Sequence, residues 1–194
     1  MFSDQMDSPK SNVLNSKIIM SGFGEITLNN PEILNTSSAN IYQDTELGFQ
    51  ISKPNAYWEI NSALDEISVD ELNSLKTKGF LDGVYIEQNH DKRFMLTVFD
   101  IKKENFSLNE YIESQISAMN SQKKLTVSSE QVSPENDWAM FAVELPENNG
   151  YGEQLMFLKE NRLYMLQYFG EHPENLNSDK KKDFQFIMES FEVI

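Results

Sequence analysis

The two histidines, His90 and His172, are the side chains best suited to acid–base chemistry near neutral pH. His90 stands beside Asp91 at the expected tip of a hairpin. A metal or proton site is the functional reading there, and an ordinary turn residue is the plainer one. His172 precedes Pro173 in a loop after the last long strand and reads the same way. No second His or Cys lies at ligand spacing from either, and zinc would need both to converge with carboxylates. Asp65, Glu66, Asp70 and Glu71 cluster around a helix start, where negative charge favours the helix dipole without any calcium ion. No stretch has the alternating oxygen ligands of a calcium loop, and no pair of carboxylates is singled out for hydrolysis.

Nucleophile and phosphate motifs are missing as well. There is no G-x-S-x-G, and the one Ser-Gly pair, Ser21-Gly22, falls in a weakly patterned N-terminal stretch. Gly22-Phe23-Gly24 is too short for a phosphate loop and lacks the lysine that would follow. The sequons Asn35-Thr36-Ser37 and Asn105-Phe106-Ser107 are what chance supplies in a chain this rich in Asn and Ser. Trp58, Trp138, Tyr164, Tyr168 and Phe169 could line a pocket, but they lie in expected core strands, where packing explains them. No catalytic, cofactor-binding or metal-binding residue is assigned from the sequence, and no enzyme is expected.

Composition narrows the partners. The formal charge is −15, from 31 acidic and 16 basic residues, which argues against nucleic acid and against unaided binding to anionic membranes. Lys180-Lys181-Lys182 is the densest basic run and reads as the solvated face of a helix. With 194 residues and 13 Phe the chain has material for one full core, and its lack of Cys excludes disulfides and thiolate sites while leaving the compartment open. No apolar run approaches the roughly 20 residues of a membrane span. The start, MFSDQMDSPKSN, lacks the pattern of a signal peptide.

Stepping from residues to elements, the segment Leu155 to Phe169, LMFLKENRLYMLQYF, carries the architecture. Its apolar runs flank the turn Lys159-Glu160-Asn161-Arg162 and scarcely alternate with polar residues, as a strand pair covered on both faces requires. Upstream, residues 1–38 form a flexible polar segment with room for short strands in 17–28, and residues 39–194 form the domain. Hairpin strands are expected at Ile41–Asp44 and Gly48–Ser52, then Tyr57–Ile60. Ser68 and Glu71 make a capping box for a helix that carries Leu72 and Leu75 inward and stops at Gly79. Strands Leu81–Gln88 and Arg93–Ile101 flank the tip Asn89–Lys92. A second box, Ser107 with Glu110, opens a helix whose Leu108, Tyr111, Ile112, Ile116 and Met119 share one face. Strands follow at Leu125–Val132, Trp138–Leu145, Gln154–Leu158 and Leu163–Phe169. Ser178 is expected to cap a last helix with Phe184, Ile187, Met188 and Phe191 inward, and Ser190–Ile194 to leave it as an extended tail. Short links favour antiparallel neighbours, giving an α+β fold: an α/β/α sandwich around a central antiparallel sheet.

The succession LGFQISKPNAYWEI, SLNEYIESQI and FQFIMESFEVI, with the apolar hairpin before the last helix, resembles the PsbP family of photosystem II extrinsic proteins and their relatives. The resemblance spans roughly residues 41–194 and rests on order and hydrophobic character. It departs at one turn: family members commonly place Trp three residues after the strand-ending Pro and Gly just before it. Here Pro54 and Trp58 are four apart and Tyr57 takes the preceding position. The resemblance implies a PsbP-like sandwich, the fold also of a nuclear-transport factor that binds the Ran GTPase. It implies a non-catalytic binding or assembly module acting through protein–protein contacts, with an unidentified protein or membrane-associated complex as partner. It also implies an extracytoplasmic or cell-envelope setting if a leader or anchor preceded Met1, and a cytoplasmic one otherwise. A carrier of a small apolar ligand is the alternative, then a hydrolase built on carboxylates or His90, and last a GTPase-partner role.

Overall fold

The apolar ribbon forms, and both its faces are covered. In the computed structural model, which describes residues 17–20, 23–28, 40–122, 125–145 and 149–194, β10 (Gly150–Lys159) and β11 (Arg162–Glu171) pair antiparallel from Gly150/Glu171 to Lys159/Arg162. The turn is the two residues Glu160 and Asn161, and Glu160 takes the left-handed φ of 56° that a tight hairpin needs. These strands sit in the middle of a seven-stranded antiparallel sheet. Its order runs β5 (Trp58–Ser62), β6 (Phe80–Gln88), β7 (Asp91–Asp100), β11, β10, β9 (Trp138–Leu145), β8 (Thr126–Val132).

Because side chains alternate along a strand, the ribbon feeds two cores. Leu155, Phe157, Tyr164, Leu166 and Tyr168 join Phe94 and Leu96 on one face, beneath helix α3 (Ser178–Ser190) with its Phe184, Ile187 and Met188. Met156, Leu163 and Met165 join Ala139 and Phe141 on the other, beneath α2 (Leu108–Gln122) with its Leu108 and Ile112. Met156 is fully buried and Leu158 and Gln167 are half-buried, as the doubly covered reading requires. Each large apolar side chain so buried contributes about 1.5–3 kcal/mol.

The α3 face is closed by more than the helix. A three-stranded sheet, β12 (Glu192–Val193), β4 (Phe49–Ser52) and β3 (Ile41–Asp44), adds Phe49, Ile51 and Phe191 to that core. A separate hairpin, β1 (Lys17–Met20) with β2 (Gly24–Thr27), lies there as well. Phe23, Ile26 and Leu28 from the segment set apart as a flexible N-terminus are packed into the same core. Two bonds tie it to α3: Gln185 Nε2 donates to Phe23 O at 2.6 Å, and Thr27 N donates to Glu189 Oε1 at 3.0 Å.

Local signals held in most places and shifted in a few. Helix α1 (Val69–Thr77) opens on the Ser68/Glu71 capping box, with both reciprocal bonds formed. Gly79 ends it at φ 92°, and a Cβ there would lie 2.3 Å from Asp100 O, so no other residue fits. At α2, Ser107 Oγ accepts from Glu110 N at 3.3 Å, and Asn136 Oδ1 accepts from Asn109 N at 3.0 Å. The cap of α3 is Asn177 rather than Ser178: Asn177 is extended and its Oδ1 accepts from Lys180 N at 2.9 Å, which makes Ser178 the first helical residue. The β6–β7 tip is shorter than expected, because Asn89 and His90 both adopt left-handed φ, 53° and 62°, and complete the turn alone. Strand β10 starts at Gly150 instead of Gln154, since its partner β11 runs on to Glu171. At the Pro54–Trp58 turn, Asn55 Oδ1 accepts from Tyr57 N at 3.0 Å; Trp58 is thereby turned into the core, and Tyr57 is left exposed.

Among the described residues, no helix is long and apolar enough to cross a membrane.

Candidate functional site

Helices α1 and α2 share one face of the large sheet but sit over opposite flanks, α1 against β6 and α2 against β8 and β9. Neither covers the middle strands β7 and β11 along their length. What remains is a trough with a mostly apolar floor: Phe99 from β7 and Ile101 just past its end, Leu163, Met165, Gln167 and Phe169 from β11. The helices supply the walls, with Lys78 just past the end of α1 and Tyr111, Gln115 and Met119 spaced by four along α2.

Three depressions lie along this face. The first, about 410 Å³, runs between Lys78 and Tyr111 over Leu163 and Met165. A second, about 250 Å³, lies near the end of α2, between Met119 and Phe169, and has Phe141, Val143 and Leu145 in its wall. The third, about 380 Å³, opens under α1. Their floors abut through cross-strand pairs, Thr97 with Met165 and Met95 with Gln167, so they form one continuous surface. Phe169 is 49% exposed at the far end.

Few polar groups interrupt the floor. Gln167 Nε2 donates to Gln154 Oε1 at 2.8 Å across the β10–β11 pair. Burial raises the Tyr111 hydroxyl above the ordinary tyrosine value, so it stays protonated and can donate from the α2 wall. Bonds from the Ser68 side chain and backbone hold Glu71 below the usual carboxylate range, so the α1 wall is anionic. On the sealed face, burial pushes Tyr168 up to about 12, and its hydroxyl donates to Glu171 O at 2.8 Å.

The groups weighed for acid–base work lie apart from this trough. His90 is exposed in the β6–β7 turn, beside an Asp91–Arg93 ion pair. The Nδ1 atom of His172 accepts from Glu174 N at 3.3 Å, capping a short 3-10 turn, and the ring packs edge-on against Tyr151. Among the described residues, no three His, Cys, Asp or Glu are placed to hold a metal ion. Asp65, Glu66, Asp70 and Glu71 do gather at the start of α1. Trp58, Tyr164 and Tyr168 belong to the α3-side core and Trp138 to its margin, whereas Phe169, grouped with them by sequence, faces the trough. Lys180 and Lys182 are exposed on α3, Asn105 is exposed in a loop, and Ser21, Gly22 and Asn35 lie outside the described residues. Met95, Thr97, Tyr111, Gln115 and Gln154 escaped notice as surface residues. The signal that marked the place was the pair of glutamines interrupting otherwise apolar strands.

No protein-family model and no curated protein sequence matches this chain. Among solved structures it is similar to cyanobacterial PsbP (CyanoP) from Synechocystis sp. PCC 6803, determined in solution. The TM-score is 0.50 at 14% identity, over 82% of this chain and 96% of that one. The fold is therefore PsbP-like, an antiparallel sheet with helices on both faces.

Proposed function

We propose that this protein is a non-catalytic binding or assembly module that holds a segment of a partner protein in the trough between α1 and α2. One observation carries the reading: the α3 face is sealed by a helix and two small sheets, while the opposite face keeps an apolar strip with Phe169 half exposed. Anchoring aromatic and aliphatic side chains in such a depression is how a few residues come to dominate binding. The polar composition of residues 1–16, ahead of the docked hairpin, suits a stalk, which supports an extracytoplasmic or cell-envelope setting. A second reading, carriage of a small apolar ligand, is favoured by the 250 Å³ depression walled by Phe141, Val143 and Leu145.

A photoreactive phenylalanine analogue at Phe169, with Lys182 on the far face as control, tests these together. The expected result is one polypeptide adduct from position 169 in intact cells and none from 182, fractionating with the envelope. The crosslinked segment, made as a peptide, should bind Phe169→Ser at least about tenfold more weakly than wild type. Equal labelling from 182, or peptide binding indifferent to Phe169→Ser, overturns the module reading. An adduct of a few hundred daltons on the purified protein favours the carrier instead, and cytosolic fractionation removes the envelope setting.

A further inference from the structure

Three hydrogen-bond donors line the 410 Å³ depression between the end of α1 and the start of α2: the Lys78 ammonium, the Tyr111 hydroxyl and the Gln115 amide. Among the described residues, none of these three side chains has a hydrogen-bond or ion-pair partner within the protein. Local structure holds them in place. Lys78 N donates to Leu75 O at 2.9 Å, and Gly79 O accepts from Asp100 N at 2.7 Å, which pins the end of α1 to the end of β7. Tyr111 and Gln115 are four apart on α2 and so share a face, with the Tyr111 ring 5.7 Å from that of Phe106. Ile101, Leu163 and Met165 lie beneath, and Lys78 is the one charged residue in the lining. The α1 wall therefore changes sign along its length, from Glu71 in its first turn to Lys76 and Lys78 at its end. The segments 76–79 and 100–104 that meet here carry four lysines and two acids, in a chain whose formal charge is −15.

We infer that this depression receives a carboxylate carried on an apolar stem, the acidic side chain of the segment that occupies the trough. The inference rests on the binding reading above and names the chemistry of the partner. A carboxylate has two oxygens with about four acceptor sites, so one group can take bonds from Lys78, Tyr111 and Gln115 together. The bond from an ammonium to an ionised acceptor is of the stronger, charge-assisted kind. A cation would meet Lys78 and its neighbouring lysines with no counter-charge. A bare inorganic anion would leave Ile101, Leu163 and Met165 uncovered, whereas a methylene stem lies against them. The position also fixes a register. Phe169 is six residues along β11 from Leu163, about 20 Å at about 3.3 Å per residue. An extended segment therefore carries its acid about six positions from the residue that meets Phe169.

The probe is n-hexanoate, titrated into the whole chain with methyl NMR at Ile101 and Met165, beside n-hexanol and n-hexylammonium. Hexanoate is expected to shift both methyls saturably, to bind at least about fivefold tighter than hexanol or hexylammonium, and to weaken as salt is added. Lys78→Gln and Tyr111→Phe, which keep the stem and the ring, should each weaken it at least about threefold at an unchanged thermal midpoint. Lys182→Gln on the far face should leave it as it is. Hexanol or hexylammonium binding as tightly as hexanoate overturns the assignment, as does wild-type affinity in either trough variant. The segment crosslinked at Phe169 should contain an Asp or Glu, and should bind at least about threefold more weakly once that acid is made an amide. A crosslinked segment with no acid, or one indifferent to that change, overturns the inference while the module reading stands. Hexanoate binding as expected with no crosslinked segment removes the module reading and leaves the depression to a free apolar acid.

Discussion

Replacing Phe184 with alanine is expected to lower the unfolding free energy by about 3–5 kcal/mol. Its ring is the meeting point of the α3-side core, with centroids 6.1 Å from Phe23, 5.8 Å from Trp58, 5.3 Å from Phe94 and 5.1 Å from Tyr168. Those partners come from the N-terminal hairpin, the edge strand β5, β7 and β11, so no one element can move in to fill the hole. The neighbouring Asp183 Oδ2 accepts from Trp58 Nε1 at 3.0 Å, which fixes the indole against that ring and resists collapse. Urea denaturation reads the loss as a fall in midpoint at unchanged slope. Lys182→Ala, two residues away and exposed, should stay within about 0.5 kcal/mol of wild type. A Phe184→Ala loss under about 1 kcal/mol would mean that α3 does not seal this face.

The second large effect is a pair of adjacent substitutions, Leu155→Ala and Met156→Ala, each expected to cost about 2–5 kcal/mol. The two residues point to opposite faces of β10, Leu155 toward α3 and Met156 toward α2, and both have no exposed surface. In a half-solvated strand one of two neighbours is always cheap to truncate, because it faces water. Two large losses at consecutive positions are possible only where both sheet faces are covered at that point. A loss at Leu155 with none at Met156 would remove α2 from the sheet, and with it one wall of the trough.

How far this arrangement was legible from sequence depends on the range of the signal. The ribbon was legible because LMFLKENRLYMLQYF is apolar at nearly every position, a pattern that only double coverage allows. Helices α1 and α2 were legible from Ser68, Glu71 and Ser107, whose caps act within one turn of chain. The cap of α3 moved by one residue because Asn177 and Ser178 are adjacent and both competent. Long-range choices were not legible. Nothing local in IYQD or FQIS says that β3 and β4 leave the main sheet, pair with each other and take Glu192 and Val193 on the free edge of β4. Three amphipathic stripes show that each helix buries a face, but not that α1 and α2 lie on the same side of the sheet. The trough is a consequence of that shared side, so apart from Gln167, which with Gln154 interrupts the apolar strands, its floor residues carried no sequence mark of their own. Phe169 continues the period of β11 as a core residue would, and is exposed because it lies toward the far end of α2, beyond full cover.

The asymmetry of the two sheet faces can be measured on its methionines. With 13C at the methionine methyls and a soluble paramagnetic agent, Met95 and Met119 in the trough are expected to broaden. Met140 and Met188 under α3, and Met156 beneath α2, are expected to stay sharp. Met95 and Met119 as well protected as Met140 and Met188 would show a sheet closed on both sides, with no trough for a partner to enter.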